Sequence, residues 1–171
     1  MRGRNQLIIT IIAAAAAAAS LAVAIPAARA DVPQRENFAY GFPYVDTWTC
    51  PGMALDATIA VRGVDTSFSE TREQVHLHGL TTLTANKDTA NEKTVASNFD
   101  VLLTFDPTTP VQKITGTVWN IQVPGIGTLL VDAGTIVVDN STDPPTVLFI
   151  GGPHQEFSGD LAALCGYLAD P

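Results

Sequence analysis

Residues 98–106 read NFDVLLTFD and carry the clearest sign of the fold class. Its apolar side chains stand at every second position: Phe99, Val101, Leu103 and Phe105. Successive side chains of a β-strand point to opposite faces of a sheet, so this period of two predicts a strand with one buried face. The strand is expected to end at Asp106 and Pro107.

Similar apolar runs lie on both sides of this stretch and are separated by short polar turns. They lie at about 55–61, 75–83, 112–123, 128–132, 135–139 and 146–150. We interpret Gly63 as the end of the first run and residues 125–127 and 132–134 as turns. Short connections favour antiparallel neighbours, so the sequence predicts an all-β domain. The expected form is a single antiparallel β-barrel or β-sandwich of about seven strands, and we prefer the barrel.

The alternation also predicts which side chains face the core. They are Leu55, Ile59, Val61, Val75, Leu77, Phe99, Val101, Leu103, Phe105, Trp119 and Ile121. Helical spacing occurs once, near the end of the chain, where Leu161, Leu164 and Leu168 follow Asp160. This spacing predicts a short C-terminal helix with Asp160 as its N-cap.

The first 30 residues have the order of parts found in an export signal. A basic start at Arg2 and Arg4 precedes a mostly alanine apolar run, and Ala28-Arg29-Ala30 follows. We predict a signal peptide at 1–30, cleavage after Ala30 and a secreted β-domain at 31–171. The alternative is an uncleaved membrane anchor, because the apolar run approaches the about 20 residues that cross a bilayer.

The charge of the mature chain excludes some classes of partner. Three of the nine basic residues lie in the predicted signal, which leaves six against all seventeen acidic residues and a net charge of −11. Nucleic-acid binding needs clustered Lys and Arg, so no nucleic acid is expected, and no membrane contact after signal cleavage. A mature chain of 141 residues can bury a sufficient core without a metal, so folding requires no cofactor.

Cys50 and Cys165 are the two cysteines of the chain. In an oxidising compartment they are expected to form a disulfide with each other, and the alternative is two buried free thiols. The segments TCPGMAL (49–55) and LCGYL (164–168) resemble the two cysteine segments of small secreted actinobacterial proteins of unknown function. Met53 and Leu164 depart from that pattern, where Phe and Asp are frequent. The resemblance implies one secreted β-domain with a bridge between its two ends, and it implies no activity.

His76 and His78 form a His-x-His pair, which places two imidazoles on the same face of a strand. With His154, the third histidine of the chain, they resemble the zinc triad of carbonic anhydrases, and a metal-dependent enzyme is one hypothesis. The alternative is that both histidines simply face solvent. The apolar Val75 and Leu77 occupy the alternating positions of the strand and would face the core on the other side. We predict that His154 does not meet the other two histidines, and that the protein binds no stoichiometric metal.

Five of the twelve aromatic residues lie within eleven positions: Phe38, Tyr40, Phe42, Tyr44 and Trp48. In an extended segment the first four share one face, which could stack on sugar rings or on an apolar ligand. The alternative, which we prefer, is an N-terminal strand anchored on the core by its aromatic side chains. Pro43 would restrict such a strand to a sheet edge or to irregular pairing.

These patterns favour an exported, non-enzymatic binding or interaction domain. Its expected partner is an extracellular small molecule, glycan or protein, because no catalytic spacing stands out in the sequence. The alternatives are the metal-dependent enzyme built on the three histidines and a passive component of the cell envelope.

Overall fold

The computed structural model describes residues 33–69, 72–106 and 108–170. The predicted signal peptide at 1–30 and its cleavage site lie outside these residues.

One antiparallel sheet of seven strands forms most of the domain, and each strand pairs with the next along the chain. The strands are β1 (Gln34–Asp46), β2 (Leu55–Ser69), β3 (Arg72–Ala85), β4 (Lys93–Phe105), β5 (Val111–Val123), β6 (Gly127–Asp139) and β7 (Thr146–Gly151). The prediction of an all-β domain with about seven antiparallel strands is therefore confirmed.

The predicted barrel is not supported, because the sheet does not close. Within the described residues β1 pairs only with β2 and β7 only with β6, so both are edge strands. The single sheet also gives no support to the second sheet that a sandwich requires. Alternation reports which face of a strand is buried, but it carries no information on whether the two ends of a meander meet.

Three strands differ from the sequence prediction, although the total number of strands agrees. The aromatic segment forms β1, and the runs at 128–132 and 135–139 form one continuous strand, β6. Residues 132–134 look like a turn but lie inside β6, where Gly134 permits close approach of the neighbouring chain. A Cβ atom at Gly134 would lie 2.1 Å from the carbonyl oxygen of Gly151. The first core strand likewise continues past Gly63 to Ser69.

The core lies on one face of the sheet, called the inner face below. All the residues predicted to face inward are buried there except Phe105, which is half-buried at the end of β4. Residues of β2 to β6 form one cluster, and a second cluster lies between the sheet and the C-terminal segment. In the second cluster Leu164 and Leu168 pack with Leu55, Leu83 and Trp119.

The C-terminal segment contains two short helices, α1 (Gln155–Ser158) and α2 (Ala162–Ala169). The predicted helix is thus present, but its N-cap is Leu161 rather than Asp160, and Leu161 offers no side-chain acceptor. Burial of Leu164 and Leu168 stabilises α2 instead. No helix in the described ranges is long and apolar enough to cross a membrane.

A disulfide joins Cys50 to Cys165, as predicted, with 5.4 Å between their Cα atoms. It ties α2 to the turn that follows β1 and closes a loop with a sequence separation of 115.

Candidate functional site

A groove of about 850 Å³ crosses the outer face of the sheet, opposite the core. Its lining comes from five adjacent strands, β1 to β5. One row of cross-strand neighbours spans it: Ala39, Arg62, His78, Asp100 and Thr117 are paired in that order. The strand register therefore builds this surface from residues up to 78 positions apart.

Small residues lower the floor of the groove near β1. Ala39 and Gly41 line it on β1, and Ala60 lies opposite Gly41 on β2. On the other side the pairing of β4 and β5 is irregular between Ser97 and Asp100. Small side chains on one side and an irregular sheet on the other leave space that a flat sheet surface does not have.

The buried Ser97 hydroxyl accepts a hydrogen bond from the backbone N–H of Asn120 at 2.8 Å. This bond holds the irregular part of the sheet in place and positions Asn120, which lines the groove.

The groove presents hydrogen-bond donors and acceptors of several kinds. Asp100 Oδ1 lies 2.8 Å from His76 Nε2, and the rings of His76 and His78 meet edge to face with centroids 6.0 Å apart. Arg62 and Asn98, both exposed, contribute a guanidinium and an amide. Carboxylate, imidazole, amide and guanidinium groups together can bind a polar ligand that both donates and accepts hydrogen bonds.

The predicted aromatic strip lies on the inner face, and one of its members, Tyr40, also lines the groove. Phe38, Tyr40 and Phe42 stack along β1 with ring centroids 6.1 and 6.2 Å apart, and Tyr44 follows at 6.2 Å. Three of them are half-buried against the core, while Phe42 is 40% exposed at the sheet edge. The strip thus packs as an edge strand, and Trp48 lies beyond it in the turn after β1.

The structure does not bring the three histidines together. His76 and His78 are exposed on the outer face, whereas His154 is buried beside β6. The Nδ1 atom of His154 contacts Asp132 Oδ1, and its Nε2 atom lies 3.2 Å from the carbonyl oxygen of Gly151. Both ring nitrogens therefore face acceptor oxygens. Within the described residues, no group of three or more His, Cys, Asp or Glu side chains could hold a metal ion.

A buried acidic cluster beside His154 has no counterpart in the sequence predictions. Glu156, on α1, accepts a hydrogen bond from Trp119 Nε1, and Asp132 and Asp46 are buried nearby. Burial, together with the charges of Asp132 and Asp46, raises the pKa of Glu156 to about 8. Burial also raises the pKa of Asp132, although His154 opposes this effect. The cluster lies under α1 and does not face solvent, so we assign it a structural role.

A second pair of carboxyl groups lies on the inner face at the other end of β2 and β3. Burial, and then the neighbouring Asp65, raises the pKa of Glu73 to about 7. Burial is also the main cause of the raised pKa of Asp65, to which the charge of Glu36 contributes. Nothing in their sequence positions marks them as a pair, because only the hairpin of β2 and β3 brings them together.

No protein-family model, curated protein or solved structure matches this chain.

Proposed function

We propose that this chain is an exported, non-enzymatic binding domain whose ligand occupies the groove on the outer face of the sheet. The groove itself carries this proposal. It combines a volume of about 850 Å³ with the polar row of Arg62, His78 and Asp100. Ligand sites commonly measure about 300 to 1,000 Å³ and use a few placed polar groups to orient the ligand.

The charge of the domain favours an uncharged polar ligand such as an oligosaccharide. A net charge of −11 for residues 31–171 repels an anionic ligand, and among the described residues Arg62 is the one Lys or Arg that lines the groove. Asp100 and Asn98 offer acceptors, while Arg62 and Asn120 offer donors. Sugar hydroxyl groups both donate and accept, so they match this mixed set.

Export is supported by the pattern of the first 30 residues and by the disulfide, because disulfides persist in oxidising compartments. The resemblance of both cysteine segments to small secreted actinobacterial proteins agrees with this localisation.

Binding to an array of neutral oligosaccharides tests the function, followed by titration calorimetry on each sugar that binds. Replacing Arg62 or Asn98 with Ala should weaken binding about tenfold or more, because each variant leaves polar groups of the ligand unpaired. Lys113→Ala is the matched control, since Lys113 is an exposed basic residue of β5 outside the groove lining. It should bind as the wild type does.

Two results would contradict the proposal. One is binding that survives both groove substitutions. The other is binding abolished by Phe42→Ala, which would place the ligand on the aromatic strip of the inner face.

A further inference from the structure

β7 is an unpaired sheet edge with an apolar surface. Its strand TVLFIG pairs with β6 along one side, and no described strand pairs with its other side. Leu148, Phe149 and Ile150 are exposed by 55%, 54% and 42%. An edge of this kind offers free backbone N–H and C=O groups together with apolar side chains, which is the template for adding another strand.

The two edges of the sheet differ in how they are protected. β1 contains Pro43 and the exposed charged residues Arg35 and Glu36, which are features that prevent edge-to-edge pairing. β7 contains no ionisable residue and no proline, although it is short, with six residues, and its register against β6 shifts between Val147 and Phe149. Each of the other six strands contains at least one Asp, Glu, Lys or Arg, so β7 is the uncharged strand of the sheet.

We propose that β7 pairs antiparallel with β7 of a second copy of this chain across a two-fold axis. The distribution of charge favours a second copy of this chain at the β7 edge. Two copies of a domain with a net charge of −11 repel each other over most of their surfaces, but β7 against β7 places no like charges opposite one another. Asp143 lies in the turn before β7, and Asp139 lies beside Thr146 on β6. Antiparallel pairing puts the corresponding residues of the second copy at the Gly151 end of β7 in the first copy.

The symmetry has a structural consequence. A two-fold axis that relates two antiparallel edge strands is perpendicular to the sheet. The two sheets therefore join into one sheet of fourteen strands, with both outer faces on the same side. Both grooves then face the same way. This part of the inference rests on the proposed function, because two grooves on one side would bind a repetitive ligand such as a polysaccharide with higher avidity. The pairing itself does not depend on it.

Sedimentation equilibrium of the mature protein tests the pairing. The wild type should dimerise with a dissociation constant below about 100 µM. Phe149→Lys should raise this dissociation constant at least about tenfold, because it places two ammonium groups in the interface. Val45→Lys is the matched control, since Val45 is 62% exposed on the opposite edge strand. It should dimerise as the wild type does. Circular dichroism checks that both variants keep their strands.

A monomeric wild type overturns the proposal, as does a dimer that Phe149→Lys leaves unchanged or an open-ended polymer. Failure of the oligosaccharide assay with an intact dimer would reject only the proposed function. Oligosaccharide binding by a protein that stays monomeric would reject only the pairing.

Discussion

The indole Nε1 of Trp119 donates a hydrogen bond of 2.8 Å to Glu156 Oε2, and both side chains are buried. This bond joins the middle of β5 to the one-turn helix α1 across 37 positions of the chain. Burial and the neighbouring acidic groups raise the pKa of Glu156 to about 8, so its carboxyl group is protonated at neutral pH. The C-terminal segment is therefore held on the sheet by a neutral acid.

This relationship predicts a stability that falls with increasing pH. The folded state holds a proton on Glu156 up to about pH 8, whereas the unfolded chain releases it near the usual pKa of glutamate. The free energy of unfolding should therefore decrease as the pH rises from about 5 to 8, and Glu73, with its pKa raised to about 7, contributes with the same sign.

Glu156→Gln should reduce that decrease by on the order of 2 kcal/mol, because glutamine stays neutral and can still accept the bond from Trp119. Urea unfolding of both proteins at several pH values measures the difference. An identical decrease in the two proteins would contradict the raised pKa of Glu156.

Two glycines predict opposite responses to the same substitution. Gly166 is exposed inside α2, and a Cβ atom there would meet nothing within 4 Å. Gly166→Ala should therefore stabilise the protein by up to about 1 kcal/mol, because alanine loses less backbone entropy in a helix.

In β3, a Cβ atom at Gly79 would lie 2.1 Å from the carbonyl oxygen of Ala60 and 2.6 Å from the Phe99 ring. Gly79→Ala should destabilise the protein by about 2 kcal/mol or more, because the backbone of β2 must shift. Thermal unfolding distinguishes the two variants, and a stabilised Gly79→Ala would show that β2 and β3 approach less closely than this.

Loss of the disulfide should destabilise the domain strongly. Cys50→Ala combined with Cys165→Ala removes a link with a sequence separation of 115, which the chain-entropy model values at about 3 to 5 kcal/mol. Urea unfolding of the double variant measures this loss, and wild-type protein kept reduced should show a similar decrease. A loss below about 1 kcal/mol would mean that the unfolded chain is already compact.

The contact between His76 and Asp100 predicts a small effect on stability. Their side chains are 50% and 67% exposed, so solvent screens the attraction between them. Asp100→Asn should change the free energy of unfolding by less than about 1 kcal/mol, as measured by urea denaturation. A larger loss would mean that this outer-face pair supports the sheet, and binding by groove variants would then need correction for unfolding.

Local features of this protein could be predicted from its residue pattern. The alternation at Phe99, Val101 and Leu103 correctly assigned a strand and its buried face, because side-chain direction in a strand depends only on position along the chain. The pairing of Cys50 with Cys165 followed from having two cysteines in an expected export product. Pro43 limited the aromatic segment to an edge strand or to irregular pairing, and β1 is an edge strand with regular pairing.

Features that depend on contacts between distant segments could not be predicted from local patterns. Asp132 lies in a stretch with the composition of a turn, yet it is buried inside β6, because His154 supplies a partner from 22 positions away. The groove likewise exists only because strand register sets Arg62, His78 and Asp100 side by side on the face without the core. The open edges at β1 and β7 have the same origin. Alternation constrains each strand separately, whereas closure, register and the partners of buried charges are set by the packing of the whole sheet.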